Sequence, residues 1–126
     1  MARRAARRLD QPELIVASPA LRALTTANVM AAALGLEPSV IYVNDEIYDA
    51  ESEQLLDVVR GFDDQFKRVM VVGHNPGLTE AVNLLAGAAI ENVPTCGVAV
   101  LSLNIKSWAD ARWKSAELLD FDYPKK

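Results

Sequence analysis

Four short apolar runs, Leu14 to Ala17, Val40 to Val43, Val69 to Gly73 and Val98 to Leu103, alternate with longer stretches of a different periodicity. The runs are mostly β-branched and lack polar alternation, which is how strands covered on both faces read. Between them, apolar residues recur every three or four positions: Leu21, Leu24, Ala27, Ala31 and Leu34, then Leu55, Leu56 and Val59, then Leu78, Val82 and Leu85. That spacing lines one face of a helix. Gly35, Gly61 and Gly87 stand where the three helices should stop. The tail from Trp108 adds one more strand around Leu118 to Phe121. Strand and helix in alternation predict a three-layer α/β/α sandwich around a mostly parallel sheet, with right-handed crossovers. At 126 residues the chain is one domain, 1–126. Ligands of such sheets bind at the carboxyl ends of the strands, so the loops there are the place to look for chemistry.

Composition narrows the function. With 51% apolar and 24% charged residues the chain can form a core and is not disordered. The longest weakly polar stretch, Ala81 to Ile90, is about half the roughly 20 residues of a spanning helix, which excludes a membrane role. One cysteine, Cys96, cannot close an internal disulfide, and no apolar segment follows the N-terminal arginines, so a reducing cytoplasm is expected. Arg3, Arg4, Arg7 and Arg8 set aside, 9 basic residues face 17 acidic ones. A body of that charge repels nucleic acid, so any bound anion must be held by a few placed groups.

Two loops offer such groups. Ser18-Pro19-Ala20-Leu21-Arg22 follows the first strand, with Ser18 read as N-cap and Pro19 as the first helical residue. Arg22 is the unusual residue, because the first helical turn favours acids and disfavours a cation by a few tenths to about 1 kcal/mol. Beside free N–H groups a guanidinium suits a bound phosphate; the alternative is a solvated arginine paired with an acid. Gly73-His74-Asn75-Pro76-Gly77 follows the third strand and opens the third helix. There Gly73 allows a sharp turn, Asn75 can cap, and His74, the only histidine, is presented at the sheet's carboxyl edge. No His, Cys or Asp grouping has metal-ligand spacing, so neither metal nor other cofactor is expected.

Ser18-Pro19-Ala20-Leu21-Arg22-Ala23 with Thr26-Ala27 resembles the second-arginine motif of the histidine phosphatase superfamily, and Val72 to Leu78 resembles its second-histidine motif. Tyr48 before an acidic helix, Pro94-Thr95, Trp108 and Phe121 to Pro124 are similar to its small branch, the SixA-type phosphohistidine phosphatases. The resemblance implies that a histidine attacks a phosphomonoester or phosphoramidate, is phosphorylated, and is released by water. It implies that Arg22 clamps phosphate oxygens, that Ser18 lies against the phosphate, and that His74 bonds the same group and stabilises transition-state charge. A proton donor would be Asp45 or Glu46, with a solvated loop as the alternative for both. The implied partner is a phosphate-bearing substrate, a phosphohistidine carrier protein being one form of it.

The chain departs from that pattern at its start. The superfamily's nucleophile lies in an Arg-His-Gly or Arg-His-Ala motif after a first strand, and neither motif occurs here. The opening residues instead resemble the middle of the helix that follows it, as in a fragment of a longer product. That nucleophile cannot be replaced from within, because His74 is the only imidazole present, and Ser18 has no evident base beside it, which disfavours a serine mechanism. Loss of that strand would expose the edges of its two neighbours. They could then pair directly, be covered by a second copy in a homo-oligomer, or await a missing segment. Three functions stay open: a phosphohistidine phosphatase-like enzyme, an inactive phosphate- or phosphoprotein-binding domain, and an interaction module assembling through the exposed edge.

Overall fold

β1 (Leu14–Ala17) is the centre of a three-stranded parallel sheet, flanked by β2 (Ile41–Val43) and β3 (Val69–Val72). The computed structural model describes residues 11–93 and 98–122. The N-terminal arginines, Pro94-Thr95, Cys96 and Pro124 lie outside the described residues. Register pairs Ile15 with Ile41 and Met70, and Val16 with Tyr42 and Val71. Successive side chains of a strand point to opposite faces, so this short sheet needs two covering layers.

Helix α1 (Leu21–Ala33) covers one face, where Ala27 and Ala31 pack on Ile15 and Ala17, with Met70 and Val72 beside them. Helices α2 (Ser52–Arg60) and α3 (Gly77–Ala86) cover the other, where Leu55, Val58 and Ala81 meet Val16 and Ile47. Ile15, Ala17, Ala27 and Ile47 are fully buried, each larger side chain contributing about 1.5–3 kcal/mol of apolar transfer. Three of the four apolar runs thus form a parallel sheet flanked by the expected helices, with Val40 in a 3₁₀ turn just before β2 rather than in the strand.

The remaining strands are set apart. β4 (Val98–Leu103) and β5 (Ala116–Asp122) form an antiparallel pair, longer at β5 than Leu118 to Phe121 suggested. Leu101, Leu103 and Trp113 pack with Leu56, Leu85 and Ala111, which ties the pair to α2 and α3. β3 and β4 do not pair with each other among the described residues.

Two carboxylates clamp the opposite end of the sheet. Glu13 accepts from the backbone N–H groups of Lys67 (2.6 Å) and Arg68 (3.1 Å), and these bonds hold its carboxyl below the usual range. Asp64 is lowered likewise, by the Trp108 backbone N–H at 3.0 Å and then the Ser107 hydroxyl at 2.8 Å. Trp108 Nε1–H in turn donates to Phe66 O at 2.8 Å, and its ring meets Phe62 edge to face.

Candidate functional site

The three strands end level with one another. Ser18 N–H donates to Val72 O (3.1 Å) and Asn44 N–H to Ala17 O (2.8 Å), each extending a ladder one step past its strand. Ser18, Asn44 and Gly73 are therefore neighbours at the carboxyl edge, and three loops depart from one place.

Ser18 is not the N-cap expected of it. α1 begins at Leu21 with Ala20 in the capping position, and Pro19 lies before the helix. The Ser18 side chain instead accepts from Ala20 N–H at 3.2 Å and lies 2.7 Å from His74 Nε2. Ser18 thus does have an imidazole beside it, against the expectation from sequence. Its side chain is nevertheless 0% exposed, which makes it a support for the ring rather than a group able to reach a substrate. A hydroxyl carries one donor and two acceptor lone pairs, so it serves His74 in either neutral tautomer and in the imidazolium.

His74 is half-buried and meets the edge of Tyr48, with ring centroids 6.0 Å apart at 79°. Its carbonyl accepts from Leu78 N–H at 2.9 Å. The next residue, Asn75, is committed on every polar atom. Its Oδ1 accepts from Thr79 N–H (3.2 Å) and Thr79 Oγ1–H (2.6 Å), while Nδ2 donates to Val93 O (2.8 Å) and Asn92 Oδ1 (3.0 Å). Thr79 Oγ1 also accepts from Val93 N–H at 2.9 Å. Pro76 holds the N-cap position of α3, while Asn75, one residue before it, takes the Thr79 N–H and fastens the histidine loop to residues 92 and 93. Asn75→Ala strands the two donors and two acceptors it serves, and is expected to lower unfolding stability by about 1–3 kcal/mol in denaturant titration.

The glycines work differently from the sequence reading. Gly73 does not take a positive φ; a Cβ there would meet Ile47 Cγ2 at 3.1 Å. At buried Gly77 a Cβ would fall 2.1 Å from Ala50 O, so the start of α3 rests on the chain just before α2. That close approach holds the His74 loop against the loop carrying Tyr48.

Arg22 is exposed in the first turn of α1 and has no carboxylate partner among the described residues. It lines the same groove as Gly73, His74 and Asn75. Asp45 and Glu46 sit in a 3₁₀ turn, Asp45–Ile47, capped by Asn44 Oδ1 accepting from Glu46 N–H at 2.9 Å. Both carboxylates are exposed at the same end of the sheet, but neither lines the groove that Arg22 and His74 share. Sequence reasoning gave Tyr48 no contact and missed the Asn75–Thr79 pairing, although their i, i+4 spacing at a helix start was available as a signal.

What remains is an exposed guanidinium and a supported imidazole that line one groove near the N-terminus of α1. Such a set binds a small oxyanion through charge-assisted hydrogen bonds.

No family model and no curated protein matches the chain. Solved structures do. A proposed phosphohistidine phosphatase SixA from Nakamurella multipartitia superposes with a TM-score of 0.78 at 25% identity, over 98% of this chain and 79% of that one. Its counterpart from Agrobacterium tumefaciens gives 0.77 at 30% identity, over 98% and 75%. The protein histidine phosphatase SixA complexed with tungstate shares the fold, at 0.75, 19% identity, and 95% and 74% coverage.

Proposed function

Since the chain belongs to the SixA phosphohistidine phosphatases of the histidine phosphatase superfamily, we propose that its groove holds the phosphoryl group of a phosphomonoester or phosphoramidate, phosphohistidine on a carrier protein being the substrate form. The observation that carries this reading is Arg22, a cation without a carboxylate partner among the described residues, opening on the groove that His74 also lines. Arg22 grips two phosphate oxygens as a fork, and His74 donates to a third, where negative charge grows in the transition state. Ser18 acts through His74, holding the ring so that its other nitrogen is the one offered to the anion.

Hydrolysis needs a second imidazole, because His74 is the only histidine of the 126 residues. We place that nucleophile on a segment joined to this domain in a longer product. Its nitrogen attacks phosphorus, the P–N or P–O bond breaks, and the leaving group takes a proton from water or from Asp45 or Glu46, which stand exposed at the same end of the sheet outside the groove. Water then cleaves the phosphorylated histidine, releasing orthophosphate and restoring the ring. All of this is expected in the cytoplasm; no helix among the described residues is long and apolar enough to cross a membrane.

A second reading, a phosphate-binding domain without turnover, is favoured by the same histidine count when the chain acts alone. A hydrolysis assay on phosphoramidate separates the two. The longer product is expected to turn over, with His74→Ala lowering kcat/KM by about 100-fold or more, while the 126-residue chain binds orthovanadate without turnover. A near-unchanged rate in His74→Ala would remove the assigned role of the groove.

A further inference from the structure

Arg22 and His74 account for the oxygens of a phosphoryl group and leave its fourth substituent unassigned. That substituent is what differs between one phosphorylated compound and another, so the side chain it meets sets specificity. With the oxygens held by Arg22 and His74, it lies at the edge of the groove beside them.

The two most exposed large apolar side chains among the described residues adjoin those two residues. Leu21, 80% exposed, immediately precedes Arg22 in α1, and Tyr48, 62% exposed, meets the ring of His74 edge to face. Neither lines the groove itself, so both stand beside it. A single exposed apolar residue is ordinary on a protein surface. Tyr48 differs in that it touches the one histidine of the chain and stands on a fixed backbone. Its N–H donates to Asp45 O at 3.1 Å, and on either side Ile47 is fully buried and Ala50 N–H donates to Ile47 O at 3.1 Å. Ala50 in turn is the backbone on which Gly77 rests. A tyrosine so placed offers a large contact area that costs little entropy to order. The same turn exposes the carboxylates of Asp45, Glu46 and Asp49, so the ring sits in acidic surroundings.

We propose that Tyr48 is the specificity-determining contact of this site: its ring packs on the planar ring that bears the phosphoryl group, the imidazole of a phosphohistidine, and so favours it over phosphate esters of saturated alcohols. The proposal rests on the phosphoryl-binding reading of the groove and adds the choice of leaving group to it. Aromatic rings attract one another through their edges and faces beyond the area they bury, and an aromatic face attracts a cation. An imidazole phosphorylated on one nitrogen takes up a proton on the other, so carboxylates around Tyr48 favour it over a phenol. Leu21 adds apolar area but has no π face with which to tell a flat ring from a puckered one.

The test is titration calorimetry on the 126-residue chain with orthophosphate, phosphoimidazole, phenyl phosphate and cyclohexyl phosphate. Phenyl and cyclohexyl phosphate match in size and charge and differ in flatness. The parent should bind the phenyl ester about fivefold more tightly than the cyclohexyl ester. Tyr48→Phe should keep that preference, and Tyr48→Leu should make the two affinities equal. Both esters carry the same phosphoryl group, so their ratio is indifferent to how firmly His74 holds the anion, and a Tyr48 that only steadied the histidine would leave it unmoved. Phosphoimidazole should lose more affinity than phenyl phosphate in Tyr48→Leu. A preference that survives Tyr48→Leu, or a larger loss for phenyl phosphate than for phosphoimidazole, would overturn the proposal while leaving the groove's role intact. Orthophosphate binding Arg22→Ala as tightly as the parent would instead remove the groove reading, and the proposal with it.

Discussion

Arg22→Ala is expected to raise the dissociation constant for orthophosphate or orthovanadate by about 100-fold. The guanidinium offers two N–H groups to the anion, and two charge-assisted bonds account for a change of that size. The fold should not suffer. Arg22 is exposed and has no carboxylate partner among the described residues, and a cation in the first turn opposes the helix dipole. Thermal unfolding should therefore stay within about 0.5 kcal/mol of the parent. Arg22→Lys keeps the charge and loses the fork, so it should recover only part of the affinity. Titration calorimetry on the three proteins checks the order; equal affinities would show that the anion is held elsewhere.

Gly77→Ala should be the most destabilising small substitution in the chain, costing about 3 kcal/mol. The new Cβ would sit 2.1 Å from Ala50 O and 3.2 Å from Ala50 C, and both are backbone atoms with no rotamer to change. α3 or the segment before α2 must move, and each carries part of the site. The variant is therefore expected to unfold roughly 10 °C earlier and to bind phosphate less well. Gly35→Ala and Gly87→Ala are the controls. Their φ values are +72° and +63° with nothing within 4 Å of the added Cβ, so they carry only the left-handed penalty of about 1–2 kcal/mol. Equal midpoints for Gly77→Ala and Gly35→Ala would mean that α3 does not rest on Ala50.

These sites differ in how much the sequence could reveal. Ile15, Val16 and Val71 lie in apolar β-branched runs, and such runs report their own two-sided burial, so the parallel sheet was legible. The placement of Arg22 and His74 on one groove was legible too, because the loop after each strand is placed by the fold and a lone cation in a first helical turn is conspicuous. Ser18 was misread as a cap because its partner, 56 positions away, is set only when β1 and β3 pair in register. Gly77 could not be singled out for the same reason: its need for hydrogen in place of Cβ comes from Ala50, on another element. Gly73 looked like a turn residue and is instead limited by Ile47. Two bared edges were expected beside β3, and β3 and β4 do stay unpaired with each other among the described residues, while β4 and β5 pack on α2 and α3.

The account rests on an oxyanion bound jointly by Arg22 and His74, and His74 is the only histidine, so its ring nitrogens give unambiguous ¹⁵N signals. The measurement is a titration of the labelled chain with orthovanadate, followed by imidazole ¹⁵N–¹H correlation. Both ring nitrogens should shift together and saturate in the parent, and stay unmoved over the same range in Arg22→Ala. Ring signals that do not respond in the parent while vanadate binds elsewhere, or that respond equally without Arg22, would contradict the account.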